Sequence, residues 1–252
     1  MPTALALSPH LDDAAFSCGA TLAQLVDRGW RVVMATAFTA TILPATGFAL
    51  ACQTDKGLAP DVDYMALRRA EDRAAADLLG ITDVRWLGLP EAPHRGYNSA
   101  PALFSGIRDG DTAWQDLAPL LSALRDELQP DVVFAPQGLG NHVDHLHMIR
   151  ALHVAPGPGA VLHYRDTPYA IRNPHAAPDV LLRRLDSHAA DAQAGLDRKI
   201  AASCAYKSQI GFQFGGPDKL AQTLRMFALS EGAGVPAERF LGEPGALAGF
   251  QP

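Results

Sequence analysis

Cysteine is scarce. The 252 residues hold three, Cys18, Cys52 and Cys204, an odd and scattered set. That excludes a disulfide framework and a CxxC zinc site, and it points to a reducing compartment. No run of clustered lysine or arginine occurs and the formal net charge is −6, so phosphate backbones and anionic membrane surfaces are poor partners. No apolar stretch approaches the ~20 residues that span a bilayer, and Ala4–Leu7 is too short for a signal-peptide core. A cytoplasmic protein with neither nucleic-acid nor membrane partners is expected. The remainder is ordinary for a globular chain, 48% hydrophobic and 19% charged, at a length that suits one domain over 1–252.

Short apolar runs alternate with longer helical stretches, the pattern of βαβ units and therefore of an α/β fold with a mostly parallel sheet flanked by helices. Strands are predicted at 4–7, 32–37, 84–87, 131–135 and 161–164. Helices are predicted at 16–28, 64–79, 114–128, 145–152, 191–205 and 218–229. Gly80 stops the Tyr64–Leu79 helix where a C-terminus favours glycine. Thr39–Asp61, punctuated by Pro44, Gly47, Gly57 and Pro60, reads as one long loop. Glycine and proline from about 231 onward predict an irregular tail.

Two clusters carry chemistry. Ser8-Pro-His-Leu-Asp-Asp13 ends the first strand, and Gly138-Leu-Gly-Asn-His-Val-Asp-His145 follows the strand that ends at Ala135. In open α/β sheets ligands bind outside these carboxyl ends. His10 and Asp13, three apart across a turn, can reach one metal, with Asp12 placed to contact a water on it. His142 and His145 again flank a carboxylate, Asp144. A His/Asp/His set with an open position suits catalytic zinc, which brings the pKa of its water towards ~7. A single aspartate after a strand is more often a helix N-cap than a ligand; two such clusters at two strand ends are harder to assign to capping.

Pro9-His10-Leu11-Asp12-Asp13 with Cys18-Gly19 resembles the first motif of the LmbE-like, or PIG-L, deacetylase family, and His142-Val-Asp-His145 resembles its second. Arg68-Arg-Ala-Glu71, Leu78-Leu-Gly80, Trp86-Leu-Gly-Leu-Pro90 and Tyr206-Lys-Ser-Gln209 resemble the family's middle and late sections. The resemblance implies a Rossmann-like sheet and a zinc-dependent N-deacetylase acting on a small N-acetylated sugar conjugate. By carry-over His10, Asp13 and His145 bind zinc, or another divalent ion such as Fe²⁺. Asp12 is the general base, His142 donates a hydrogen bond or proton, and Asp144 orients His142. Arg68 and Glu91 match or neighbour positions that bind sugar hydroxyls. The resemblance also allows a homo-oligomer.

Leu11 and Ala14 depart from the family's usual residues without removing a ligand. Some relatives carry a carbonyl-polarising tyrosine two residues before the second motif; here that position is Gly140, so Asn141, His142 or a residue from elsewhere must serve. Thr39–Asp61 and Asn98–Asp111 are the segments expected to set substrate choice. Two other readings share the donors. A facial triad of two histidines and one carboxylate also serves non-haem iron enzymes, although these have no evident use for Asp12. A non-catalytic metal-binding protein would need no base at all. Phosphate-ester hydrolysis is disfavoured by the lack of a P-loop.

Overall fold

The computed structural model describes residues 1–246. A seven-stranded sheet has the order β3-β2-β1-β4-β5-β7-β6. β1 (Thr3–Ser8), β2 (Arg31–Phe38), β3 (Asp83–Leu89), β4 (Val132–Pro136) and β5 (Ala160–Tyr164) run parallel. β6 (Asp186–Asp191) and β7 (Ala237–Gly242) complete one edge, β7 antiparallel to β5 and β6 antiparallel to β7. β1 is buried along its length, because a central parallel strand is covered on both faces. It has β2 on one side and β4 on the other, so the order of strands reverses between β1 and β4. The crevice outside their carboxyl ends is the switch point where such sheets bind ligands.

The helices are α1 (Asp13–Asp27), α2 (Gly47–Thr54), α3 (Tyr64–Leu79), α4 (Ala100–Leu103), α5 (Ala113–Leu128), α6 (Val143–Val154), α7 (Tyr169–Arg172), α8 (Leu196–Ala205), α9 (Lys207–Phe214) and α10 (Pro217–Glu231). Successive strand residues point to opposite faces. Ala4, Ala6, Val32 and Met34 pack on a layer carrying Phe16, Leu22, Leu79, Ile200 and Leu224. Leu5, Leu7, Val33 and Val133 pack on α5 and α6 through Leu117, Leu121, Leu124, Met148 and Leu152. α3 keeps its predicted bounds: the Asp63 carboxylate accepts from Ala66 N at 2.8 Å, and Gly80 ends the helix at φ 80°.

Three expectations require correction. Residues 39–61 are no continuous loop, since α2 lies among them; an eight-residue helix is too short for periodicity to reveal. The helix predicted from 191 begins at Leu196, and Asp186–Asp191 is instead β6. The tail expected to be irregular from 231 contains β7. The edge strand β6 is rich in polar residues and β7 mixes polar with apolar ones, and it is pairing that makes them strands.

β7 also packs against α1. α1 leaves helical geometry at Cys18 (φ −125°, ψ 17°), which frees amides in mid-helix. The Glu238 carboxylate accepts from Ala20 N (3.2 Å), Thr21 N (2.8 Å) and Lys199 Nζ (2.7 Å). The first turn of α1 is thus set apart from its remainder. Among the described residues no helix is long and apolar enough to cross a membrane.

Candidate metal centre

The loop after β1 is folded by Ser8, whose hydroxyl donates to His10 O (2.6 Å) and accepts from Ala14 N (3.0 Å). It holds His10 and Asp13 over the sheet edge. Asp13 Oδ2 accepts from His10 N at 2.8 Å and lies 3.2 Å from His10 Nδ1.

The loop after β4 turns through Gly138 (φ 76°), Gly140 (φ 83°) and Asn141 (φ 60°), left-handed positions that favour glycine and tolerate asparagine. Asp166, following β5, fixes it: Oδ2 accepts from Gln137 N (2.9 Å) and Leu139 N (3.1 Å), while Oδ1 pairs with His145 Nδ1 at 2.5 Å. One carboxylate shapes the turn and orients the histidine.

A carboxylate only accepts, so a histidine ring nitrogen hydrogen-bonded to one is the donor. His145 gives Nδ1–H to Asp166, which leaves Nε2 facing Asp13 Oδ2 at 3.3 Å. His10 gives Nε2–H to Asp144 Oδ2 at 2.9 Å, which leaves Nδ1 on the Asp13 side. Two donor edges of 3.2 and 3.3 Å therefore meet at Asp13. Donors bonded at ~2.0–2.1 Å to a tetrahedral ion stand about 3.3 Å apart. His145 Nε2 is buried with no hydrogen-bond partner, a vacancy a cation would satisfy.

His10, His142 and His145 also converge, one ring nitrogen of each within 4.8 Å of the others. His142 differs in its tautomer. Its Nδ1 accepts from Asp144 N at 3.2 Å as it caps α6, so the ring proton sits on Nε2 and that nitrogen donates. Burial, then the charge of His10, holds His142 well below the usual histidine range, which keeps it neutral.

The charges call for a cation. Asp12, Asp13 and Asp144 crowd the floor, and burial pushes Asp12 up to about 7 against the pull of Arg68. Burial opposes charge on Asp144, but the His10 bond and Arg95 outweigh it and hold the group well below the carboxylate range. Burial likewise opposes charge on His145, and Asp13 with Asp166 overcomes it, raising the ring to about 9.

The other expected site residues fall differently. Asp144, expected to orient His142, sends its carboxylate to His10, to Ala92 N (3.1 Å) and to Arg95 (2.7 Å). Arg68 and Glu91 both line the cavity, joined at 2.6 Å, and Arg68 also reaches Leu11 O (3.2 Å) and Asp12 Oδ2 (3.5 Å). Asn141 is exposed and does not line the cavity. His147, two residues beyond His145 and not among the expected ligands, serves elsewhere: its ring accepts from Trp114 N at 3.2 Å and meets Asp111 at 2.9 Å.

Sequence reasoning missed Asp166, Arg95 and Tyr169. A lone aspartate after a strand and an arginine in a turn carry no motif. A Cβ on Gly140 would stand 3.2–3.3 Å from the ring of Tyr169, so the ring from α7 takes the space beside position 140. Tyr169 lines the cavity and packs edge-on to His145, centroids 5.5 Å apart. Burial, then Asp13 and Asp12, pushes its phenol well above the ordinary value, so it keeps its proton.

The cavity holds about 290 Å³. Phe48, Cys52 and Lys56 from 39–61, and Ala100, Leu103 and Phe104 from 98–111, supply part of its wall. These are the segments expected to influence substrate choice.

A Rossmann-like α/β fold with a histidine and carboxylate cluster at the switch point defines the class of protein. Residues 5–155 match the family model described as PIG-L, GlcNAc-PI de-N-acetylase, and the chain belongs to that LmbE-like family. It is 36% identical over 173 residues to a 2'-N-acetylparomamine deacetylase of Streptomyces fradiae, a match that spans 66% of this chain and 57% of that protein. The zinc-inhibited form of the teicoplanin deacetylase Orf2 superposes with TM-score 0.80 at 27% identity, covering 95% of this chain and 97% of that one. The A40926 pseudoaglycone deacetylase Dbv21 gives 0.79 at 28%, covering 95% and 96%.

Proposed function

We propose that this protein is a metal-dependent N-deacetylase of a small amino-sugar conjugate, with His10, Asp13 and His145 holding one divalent ion. The supporting observation is the pair of 3.2 and 3.3 Å donor edges meeting at Asp13, beside a buried His145 Nε2 that has no hydrogen-bond partner. Two nitrogens and one carboxylate, each histidine backed by a carboxylate, fit zinc, and Fe²⁺ accepts the same donors. A bound zinc polarises the amide carbonyl and makes a water acidic near neutrality.

The chain's own groups do the remainder. Asp12, outside the donor set, takes the water's proton and passes it to the departing amine; burial that lifts it to about 7 suits a group that must both accept and release. Arg68 holds Asp12 in place, and Glu91, paired to Arg68, offers its second oxygen to a sugar hydroxyl. His142 presents Nε2–H to the oxygen that gains negative charge. Tyr169 takes the place of the tyrosine absent at Gly140 and donates to the same oxygen. Tyr169→Phe is expected to lower kcat by ~10²-fold, the scale of one oxyanion donor, with metal content unchanged. A variant with wild-type kcat would remove Tyr169 from the reaction.

The direct experiment is to quantify bound metal and measure acetate release from N-acetylated amino sugars and their conjugates. Expected are one ion per chain, loss of turnover on chelation and recovery on adding zinc. A metal-loaded protein that releases no acetate across a broad panel would overturn deacetylation. Turnover undiminished by complete metal removal would overturn the metal's role.

A further inference from the structure

The cavity has a polar floor and an aromatic mouth. Its floor carboxylates are already engaged: Asp12 and Glu91 with Arg68, Asp144 with Arg95, and Asp13 with His10 and His145. Around the mouth three separate segments deliver phenylalanines, Phe48 from α2, Phe104 just after α4 and Phe212 from α9. Phe212 is 66% exposed and Phe104 37%. Exposed aromatics converging on one opening from three segments form a surface that a ligand can cover.

Two contacts tie this rim to the reaction centre. Phe104 packs edge-on to His142, centroids 5.2 Å apart, and to Tyr169 at 5.6 Å. Lys56 Nζ sits 5.4 Å from the centroids of both Tyr64 and Phe212, joining the two rings into one wall. Lys56 and Arg172 place positive charge at the opening, with Asp55 beside them. A conjugate bearing several protonated amines would meet those cations and find the inner carboxylates already paired.

Resting on the deacetylase reading above, we infer that the amino sugar carries an uncharged apolar aglycone, aryl or alkyl, that lies over Phe104 and Phe212 while the acetamido group reaches the floor. A ring or chain there removes the exposed faces of both phenylalanines from water. Phe104 and Phe212 are thus specificity-determining residues for this site.

The test measures binding of deacetylated glucosaminides to the metal-loaded wild-type protein, since these are not turned over. Methyl, phenyl, hexyl and 6-aminohexyl glycosides are compared by calorimetry. The phenyl and hexyl glycosides are expected to bind at least about tenfold more tightly than the methyl glycoside, as burial of one apolar group allows. The aminohexyl glycoside is expected to gain nothing over methyl. In the Phe104→Ala/Phe212→Ala variant the phenyl-to-methyl ratio should fall to within about twofold. A phenyl gain without a hexyl gain restricts the aglycone to aryl; the reverse restricts it to alkyl. Equal wild-type affinities for methyl, phenyl and hexyl glycosides overturn the inference, as does a ratio that survives the double substitution. Deacetylation is read separately by acetate release. An apolar preference without any acetate release would sink the enzyme reading and leave this inference standing; acetate release without the preference would do the opposite.

Discussion

Asp12→Asn is expected to lower kcat by ~10²–10⁴-fold, the usual contribution of a positioned acid–base group, while metal content stays near one ion per chain. Asp12 stands outside the donor edges that meet at Asp13. Its position comes from Arg68, 3.5 Å from Oδ2, which also donates to Leu11 O at 3.2 Å. An asparagine keeps the shape and an acceptor for Arg68 but cannot take a proton. Metal analysis beside single-turnover acetate release checks this, because loss of ion and loss of base are then read apart. Turnover within tenfold of wild type would show that another group is the base. Depletion of the ion would place Asp12 among the ligands.

Asp166→Asn is the second large effect, and it tests a residue with no motif. The Asp166 carboxylate pairs with His145 Nδ1 at 2.5 Å and accepts the amides of Gln137 and Leu139. An amide in its place weakens the charge-assisted bond that sets the His145 tautomer. Outer partners of this kind are worth ~10–100-fold in metal affinity, and that loss is expected in competition against a chelator of known strength. Excess zinc should restore most of the turnover, whereas His145→Ala should not recover. A purely structural role would lower thermal stability and leave metal affinity at its wild-type value. That result would remove Asp166 from the metal centre and return it to the turn.

Much of the fold was legible because central parallel strands are buried on both faces. Ala4–Leu7, Val32–Ala37 and Asp131–Ala135 are predominantly apolar, and their pairings in β1, β2 and β4 create the switch point. Helix α3 was legible from its composition and Gly80. The strands β6 and β7 were not, because Asp186–Asp191 and Ala237–Gly242 lack apolar continuity and exist by pairing with each other. Glu238 in β7 looks like a surface residue in the sequence, yet it is buried on the broken helix α1 and on Lys199.

The site divides along the same line. Local spacing along the chain already sets which groups lie at the two central strand ends: His10, Asp12 and Asp13 after β1, and His142, Asp144 and His145 after β4. Residues a few positions apart on a strand-to-helix turn cannot separate, so their grouping is local. The tertiary structure alone decided which nitrogen of each histidine faces the centre, since that depends on carboxylates arriving from elsewhere. Asp166 comes from beyond β5 to His145, and Asp144 crosses to His10 instead of serving His142. It also brought Tyr169 to the side of Gly140, and set Phe48, Phe104 and Phe212 around one opening. Tautomer, donor spacing and the chemistry of the mouth are properties of contacts between segments far apart in the chain, and no local pattern encodes them.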